Sequence, residues 1–269
     1  MSFVNNVYAN AKRWTIKAFR NPFVLVVSLV QPIVFLVLFT QVFGTVTGKA
    51  VPGTSYETYL VPAIAIQVSL AAAATSGIGF VNDIEEGMYE KVLASPMRQT
   101  EVFLGKTLAE LFRMAVQIAI ILGLGVVLGA RIHTGFLGAL GVIGVGVLFS
   151  VWFIAFTNTV AVLTEDQEST IITSNFIQFP LLFLSSAFLP VNTLPGWIQA
   201  IATYNPVTYG VDAARTLMLG EAQGQLVLDG FSPVLGALLP SLTVLVVLAT
   251  IFGYVAVYVL RRSRNNITQ

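Results

Sequence analysis

Apolar residues run through this chain in long unbroken blocks rather than in alternation. Six blocks, at 23–43, 58–81, 108–130, 136–163, 171–189 and 234–260, reach the roughly 20 residues a helix needs to cross a hydrocarbon core of about 30 Å. A porin-like barrel would instead show alternating segments of about ten residues. Pro32, Pro62, Pro180 and Pro240 interrupt four of the blocks. Membrane helices accept proline because neighbouring groups re-satisfy the freed backbone. The pattern predicts an all-α integral membrane protein, one domain over residues 1–269 with six transmembrane helices.

The segment 1–21 has a different pattern. Val4, Val7, Tyr8, Ala11, Trp14, Ala18 and Phe19 share one helical face, with Asn5, Asn6, Asn10, Lys12, Arg13, Lys17 and Arg20 off it. This predicts an amphipathic helix lying in the membrane surface, broken from the first span at Asn21-Pro22. No small-residue cleavage site follows the first apolar block, so it does not read as a signal peptide. With the N-terminus in the cytoplasm, only Lys49, Arg131 and Arg215 of the 14 Lys and Arg residues fall outside. That bias predicts a multi-pass topology with both termini cytoplasmic.

Two connections have content. In the inner loop 82–107, Asn82 and Asp83 stand three residues before Glu85 and Glu86 as in a capping box, and Pro96 is a stop. A helix over 83–95 is expected. Ile84, Met88, Tyr89, Val92 and Leu93 form its apolar side, and Asp83, Glu86 and Glu90 an acidic stripe. The readings are a docking surface for another protein or a solvated charged face. In the outer segment 190–231, Pro195 opens a short helix carrying Trp197. Asn205-Pro206 opens a second, in which Asp212 and Arg215 pair at i, i+3 and Gly220 is the stop. Both are too short to cross and should lie in the outer interface or dip partly in.

Composition narrows the chemistry. Charged residues are only 10% of the chain, hydrophobic residues 56%, and the mean hydropathy is +0.82. A net charge of +1 gives no reason to expect a nucleic-acid partner. The absence of cysteine and the single histidine, His133, exclude thiolate metal sites and two-histidine zinc motifs. Gly105-Lys106-Thr107 looks like the end of a phosphate loop, but Thr100 stands where its first glycine belongs and no strand precedes it. No cofactor, metal or catalytic residue is expected on this chain. The mid-membrane polar residues Gln31, Gln67, Gln117, Asn158, Asn175 and Gln178 are neutral, whereas ion-driven carriers place ionisable groups there. They read as interhelical hydrogen-bond glue, with Gln67, Asn175 and Gln178 as candidates to line a pathway. Glu110 and Arg113 can pair at i, i+3. Gly135, Gly138, Gly141, Gly144 and Gly146 suit close helix packing.

Taken together, the chain resembles the permease subunits of type 2 ABC transporters of the daunorubicin-resistance and nodulation-exporter kind. The carriers of the resemblance are the amphipathic N-terminal helix, the stretch from Asn82 through Gly87 and Tyr89 to Ser95-Pro96 with Arg98 and Gly105-Lys106, the Leu194-Pro195-Gly196-Trp197-Ile198 run, and Asn205-Pro206-Val207-Thr208-Tyr209 with Arg215. The resemblance implies an exporter permease in a prokaryotic cell membrane, two such subunits per pore (two copies or one with a related permease), and a separate ABC ATPase carrying ATP and Mg. It makes 83–95 the coupling helix, with Asp83, Glu86, Met88, Tyr89, Glu90, Leu93, Pro96 and Arg98 contacting the ATPase. Pro195, Trp197, Asn205, Pro206 and Arg215 belong to its outer gate. The competing readings are a non-transporting membrane anchor or assembly subunit and, third, an ion-coupled secondary carrier.

Overall fold

A computed structural model describes residues 3–20, 22–44, 54–85, 99–223, 227–228 and 230–267. Among them, α1 is Phe3–Arg20, α2 Pro22–Phe43, α3 Tyr56–Glu85, α4 Gln99–Val127, α5 Gly135–Thr164, α6 Gln167–Phe183, α7 Gly196–Tyr204, α8 Pro206–Leu219 and α9 Pro233–Ile267. Five of these, α2, α3, α4, α5 and α9, are long and apolar enough to cross a membrane. The four expected prolines all lie inside helices.

α3 is the hub. Its apolar stretch is 83% buried, against 22% for α2 and for α9. It packs on α2, α4, α5, α6 and α8. Ala63, Ala65, Ala72, Ala73 and Ala74 bring its backbone close to its neighbours, the means by which helices associate where lipid removes the hydrophobic drive. Gly77 makes the tightest approach to α5: a Cβ there would lie 2.6 Å from the Thr157 carbonyl oxygen.

Three boundaries differ from expectation. The block 171–189 is not one helix. α6 ends at Phe183 after 17 residues, about 25 Å, and 184–189 is irregular. Its carbonyls find tertiary donors, described below, which apolar composition cannot reveal. At the inner side, α3 runs through Asn82–Glu85 without a break, so Asn82 and Asp83 do not start a new helix. A capping side chain acts only where the chain arrives non-helical, and here it arrives helical. α4 likewise begins at Gln99, well before the apolar block at 108.

The faces of α1 are also redistributed. Asn6 and Asn10 are buried against α4, while Val4 and Tyr8 are 70% and 67% exposed. Asn6 Nδ2 donates to Glu101 Oε2 at 2.8 Å. Gly105 makes room for the crossing: a Cβ there would come 2.5 Å from Asn10 Cβ. The glycine of the false phosphate loop is therefore a helix-crossing point. Of the glycines expected to pack α5, Gly138 and Gly141 meet Leu217 of α8, and Gly146 meets Ile118 and Ser69. Gly144 meets nothing within 4 Å, and Gly135 instead takes a positive φ of 65° at the helix start.

The turn from α5 to α6 is tight, with only Glu165 and Asp166 between the helices. Asp166 caps α6 by accepting from the Ser169 N–H at 2.6 Å. Hydrogen bonds from Ser169 hold its carboxyl below the ordinary aspartate range.

Candidate functional site

The structure collects buried polar side chains in two clusters and one row. The inner cluster joins four helices. Lys106 on α4, 2% exposed, donates to the Ser76 carbonyl of α3 at 2.7 Å and pairs with Glu110 one turn on at 3.6 Å. The Ser76 hydroxyl lies 2.5 Å from Glu110 Oε2 and 3.1 Å from the side chain of Asn158 on α5. A hydroxyl has one proton, and the carboxylate takes it more strongly. Asn158 is therefore best placed with its Nδ2 toward the Ser76 oxygen, which also gives that buried NH2 a partner. Lys106 Nζ stands 5.6 Å from the Trp14 ring of α1. The expected Glu110–Arg113 pair does not form among the described residues. Arg113 reaches Thr75 Oγ1 at 3.4 Å instead, because Lys106 already sits beside Glu110.

The outer cluster is built around α8, which inserts among α3, α5, α6 and α9. Asn205 and Pro206 start it as expected. Asn205 Oδ1 accepts from the Val207 N–H at 2.9 Å, and its Nδ2 donates to the carbonyls of Leu181 at 2.7 Å and Leu184 at 2.8 Å. One side chain thus caps α8 and closes the end of α6. Gly220 ends α8 with φ of 74°, a left-handed stop that glycine takes without strain.

Arg215, 2% exposed, does not pair with Asp212 as the i, i+3 spacing suggests. Its guanidinium donates to the carbonyls of Tyr59 at 3.1 Å, Ser186 at 2.9 Å and Ala187 at 2.7 Å, and lies 3.5 Å from the Tyr59 ring centroid. Asp212 accepts from the Ser186 hydroxyl at 3.1 Å. Tyr56 and Tyr59 donate to the carbonyls of Phe188 and Ser186 at 3.2 and 3.4 Å. These donors satisfy the irregular backbone after α6. Phe188 then stacks on Phe39 of α2, with centroids 4.5 Å apart. Of the remaining outer-gate residues, Pro195 precedes α7 and Trp197 is exposed on it.

The third feature is a polar row on α6. Thr170, Ser174 and Gln178 follow one another at four-residue spacing and are buried on the side that packs with α3. Ser174 Oγ and Gln178 Oε1 lack hydrogen-bond partners among the described residues, as do both polar atoms of Gln67, 1% exposed on α3. Asn175 is exposed and is not part of this row. Ser174 was missed because a lone serine in an apolar block carries no sequence signal. Of the residues expected to meet an ATPase, Glu86, Met88, Tyr89, Glu90, Leu93, Pro96 and Arg98 lie outside the described residues, and Asp83 is in the last turn of α3.

These features define a helical membrane protein with buried polar clusters toward both ends of its bundle. The model of the family described as ABC-2 type transporter matches residues 5–219. The chain belongs to that family. It is 31% identical over 205 residues to a daunorubicin resistance ABC transporter permease protein of Streptomyces coeruleorubidus, covering 75% of this chain and 70% of that one. It is 28% identical over 247 residues to a probable doxorubicin resistance ABC transporter permease protein of Mycobacterium tuberculosis, covering 92% and 86%.

Proposed function

We propose that this chain is the membrane-spanning subunit of an ATP-driven exporter, with two such subunits forming the pathway and a separate ABC ATPase on the cytoplasmic side carrying ATP and Mg. Membership of the ABC-2 family carries the proposal. The two relatives are named for resistance to amphipathic drugs, so an amphipathic cargo is the substrate class assigned here. The buried row of Gln67, Ser174 and Gln178 supports a polar seam for it inside an apolar bundle. Exposed Phe176, Phe179 and Phe183 on α6 and the exposed valines of α2 support a second subunit against that side.

In this reading α6 with the α7–α8 insertion makes the sixth passage, and both termini are cytoplasmic. Single cysteines replacing Lys12 and Arg262 should be shielded from an impermeant thiol reagent in intact cells, while cysteines at Arg131 and Glu221 should react. Labelling at Lys12 without labelling at Arg131 would invert the topology.

Coupling is assigned to the connection between α3 and α4. The inner cluster supports it: Ser76 lies near the end of α3 and Lys106 and Glu110 near the start of α4, so force on 86–98 reaches α1 and α5 through one bonded network. Tyr89→Ala should release the ATPase or uncouple its hydrolysis from transport, since losing a buried anchor costs roughly 2 kcal/mol or more. Glu90→Gln should act weakly, at about 1 kcal/mol or less, and mainly at low salt. Crosslinking from position 89 to a co-expressed ATPase is the check. No adduct at 89 or 93 together with full transport in Tyr89→Ala would refute this assignment.

A further inference from the structure

α1 presents three faces, and only two have a role so far. One is buried against α4. A second, with Val4 and Tyr8, is apolar and exposed. The third borders an open groove of about 540 Å³, lined among the described residues by Ala9, Lys12, Arg13, Ile16, Lys17 and Arg20. At 3.6 residues per turn these six fall on one side of the helix. Four are cationic, and α1 contains no Asp or Glu. Arg13 and Lys17 flank the Trp14 ring at 5.7 and 4.9 Å, and Gly105 seats the helix closely on α4. The cations are therefore presented on a fixed rather than a free helix.

We infer that this groove binds the phosphate of an anionic glycerophospholipid. The chemistry selects the class. Arginine forks match phosphate oxygens in pairs, and lysines add point charges. Ile16 within the groove and the neighbouring exposed Val4 and Tyr8 suit a ligand that is anionic at one end and apolar at the other. A soluble phosphate would leave that apolar surface uncovered. Because α1 touches Glu101 and Lys106 of α4, lipid bound here sits one contact from the inner cluster. The inference rests on the reading that α1 lies along a membrane surface, on whichever side that is.

The test is a lipid titration of the purified full-length chain in neutral detergent, read by native mass spectrometry. Phosphatidylglycerol should bind at least tenfold more tightly than phosphatidylcholine with the same acyl chains. The variant K12Q/R13Q/K17Q/R20Q should lose that tenfold preference while unfolding at the wild-type temperature. K12R/K17R should keep it, which separates charge from packing. Millimolar glycerol 3-phosphate should not displace the lipid. Equal binding of the two lipids, an undiminished preference in the glutamine variant, or displacement by glycerol phosphate would each overturn the lipid site. If a cysteine at Lys12 is labelled from outside the cell while the preference and its loss persist, the topology is wrong and the lipid site stands.

Discussion

Replacing Arg215 by glutamine will cost this protein more stability than any other single polar substitution in its outer half. The guanidinium holds three backbone carbonyls, of Tyr59, Ser186 and Ala187, in a buried site. A buried acceptor left without a partner costs about 1–3 kcal/mol, and glutamine has two N–H donors where arginine has five. Interhelical hydrogen bonds within bilayers measure nearer 0.6 kcal/mol each, so about 2 kcal/mol for the three is a conservative expectation. At roughly 2–4 °C per kcal/mol for a chain of this size, the unfolding temperature in detergent should fall by about 4 °C or more. Arg215→Lys should recover only part of this, because a single ammonium cannot reach three carbonyls in a fork. A fall of less than 2 °C in Arg215→Gln would show that 184–189 holds itself.

The second large effect belongs to the inner cluster. Lys106→Met should destabilise by about 3–5 kcal/mol, since it leaves the Glu110 carboxylate in a nearly closed site without its cation. The double variant Lys106→Met/Glu110→Met should recover most of that loss, because removing both charges of a buried pair is often close to neutral. The non-additivity, measured as a double-mutant cycle, is the interaction itself. Nucleotide affinity of the assembled transporter should stay within tenfold in all three variants, as Gly105-Lys106 packs helices and is not a phosphate loop. Additive losses would mean that Lys106 acts through Ser76 or Trp14 rather than through Glu110.

The elements most legible in the sequence were those set by composition and local chemistry. Long apolar blocks place α2, α3, α4, α5 and α9, with ends extended at the inner side where polar residues continue a helix. Asn205-Pro206 and Gly220 bound α8 as expected, because a cap, a fixed φ and a left-handed stop act within a few residues of chain. Pairings were less legible. Glu110 with Arg113 and Asp212 with Arg215 are both sound helical spacings, and neither forms. One member of each pair is held elsewhere: Glu110 by Lys106 and Ser76, and Arg215 by the carbonyls of α3 and the 184–189 segment.

Composition and motif are enough to read the chain as a helical membrane protein, to place most of its helices and to set it among the ABC-2 permeases. Hydropathy and local caps suffice for that, because a bilayer forces each spanning segment to satisfy its own backbone. Where a helix could stop inside an apolar block depends instead on contacts made far along the chain. α6 ends at Phe183 because Asn205, Arg215, Tyr59 and Tyr56 supply donors to the carbonyls beyond it. Such contacts also decide that Asn6 and Asn10 turn inward on α1 while Val4 and Tyr8 turn outward. In a membrane setting an exposed valine costs nothing and a buried asparagine needs only one good partner. For Asn6 that partner, Glu101, stands 95 residues away.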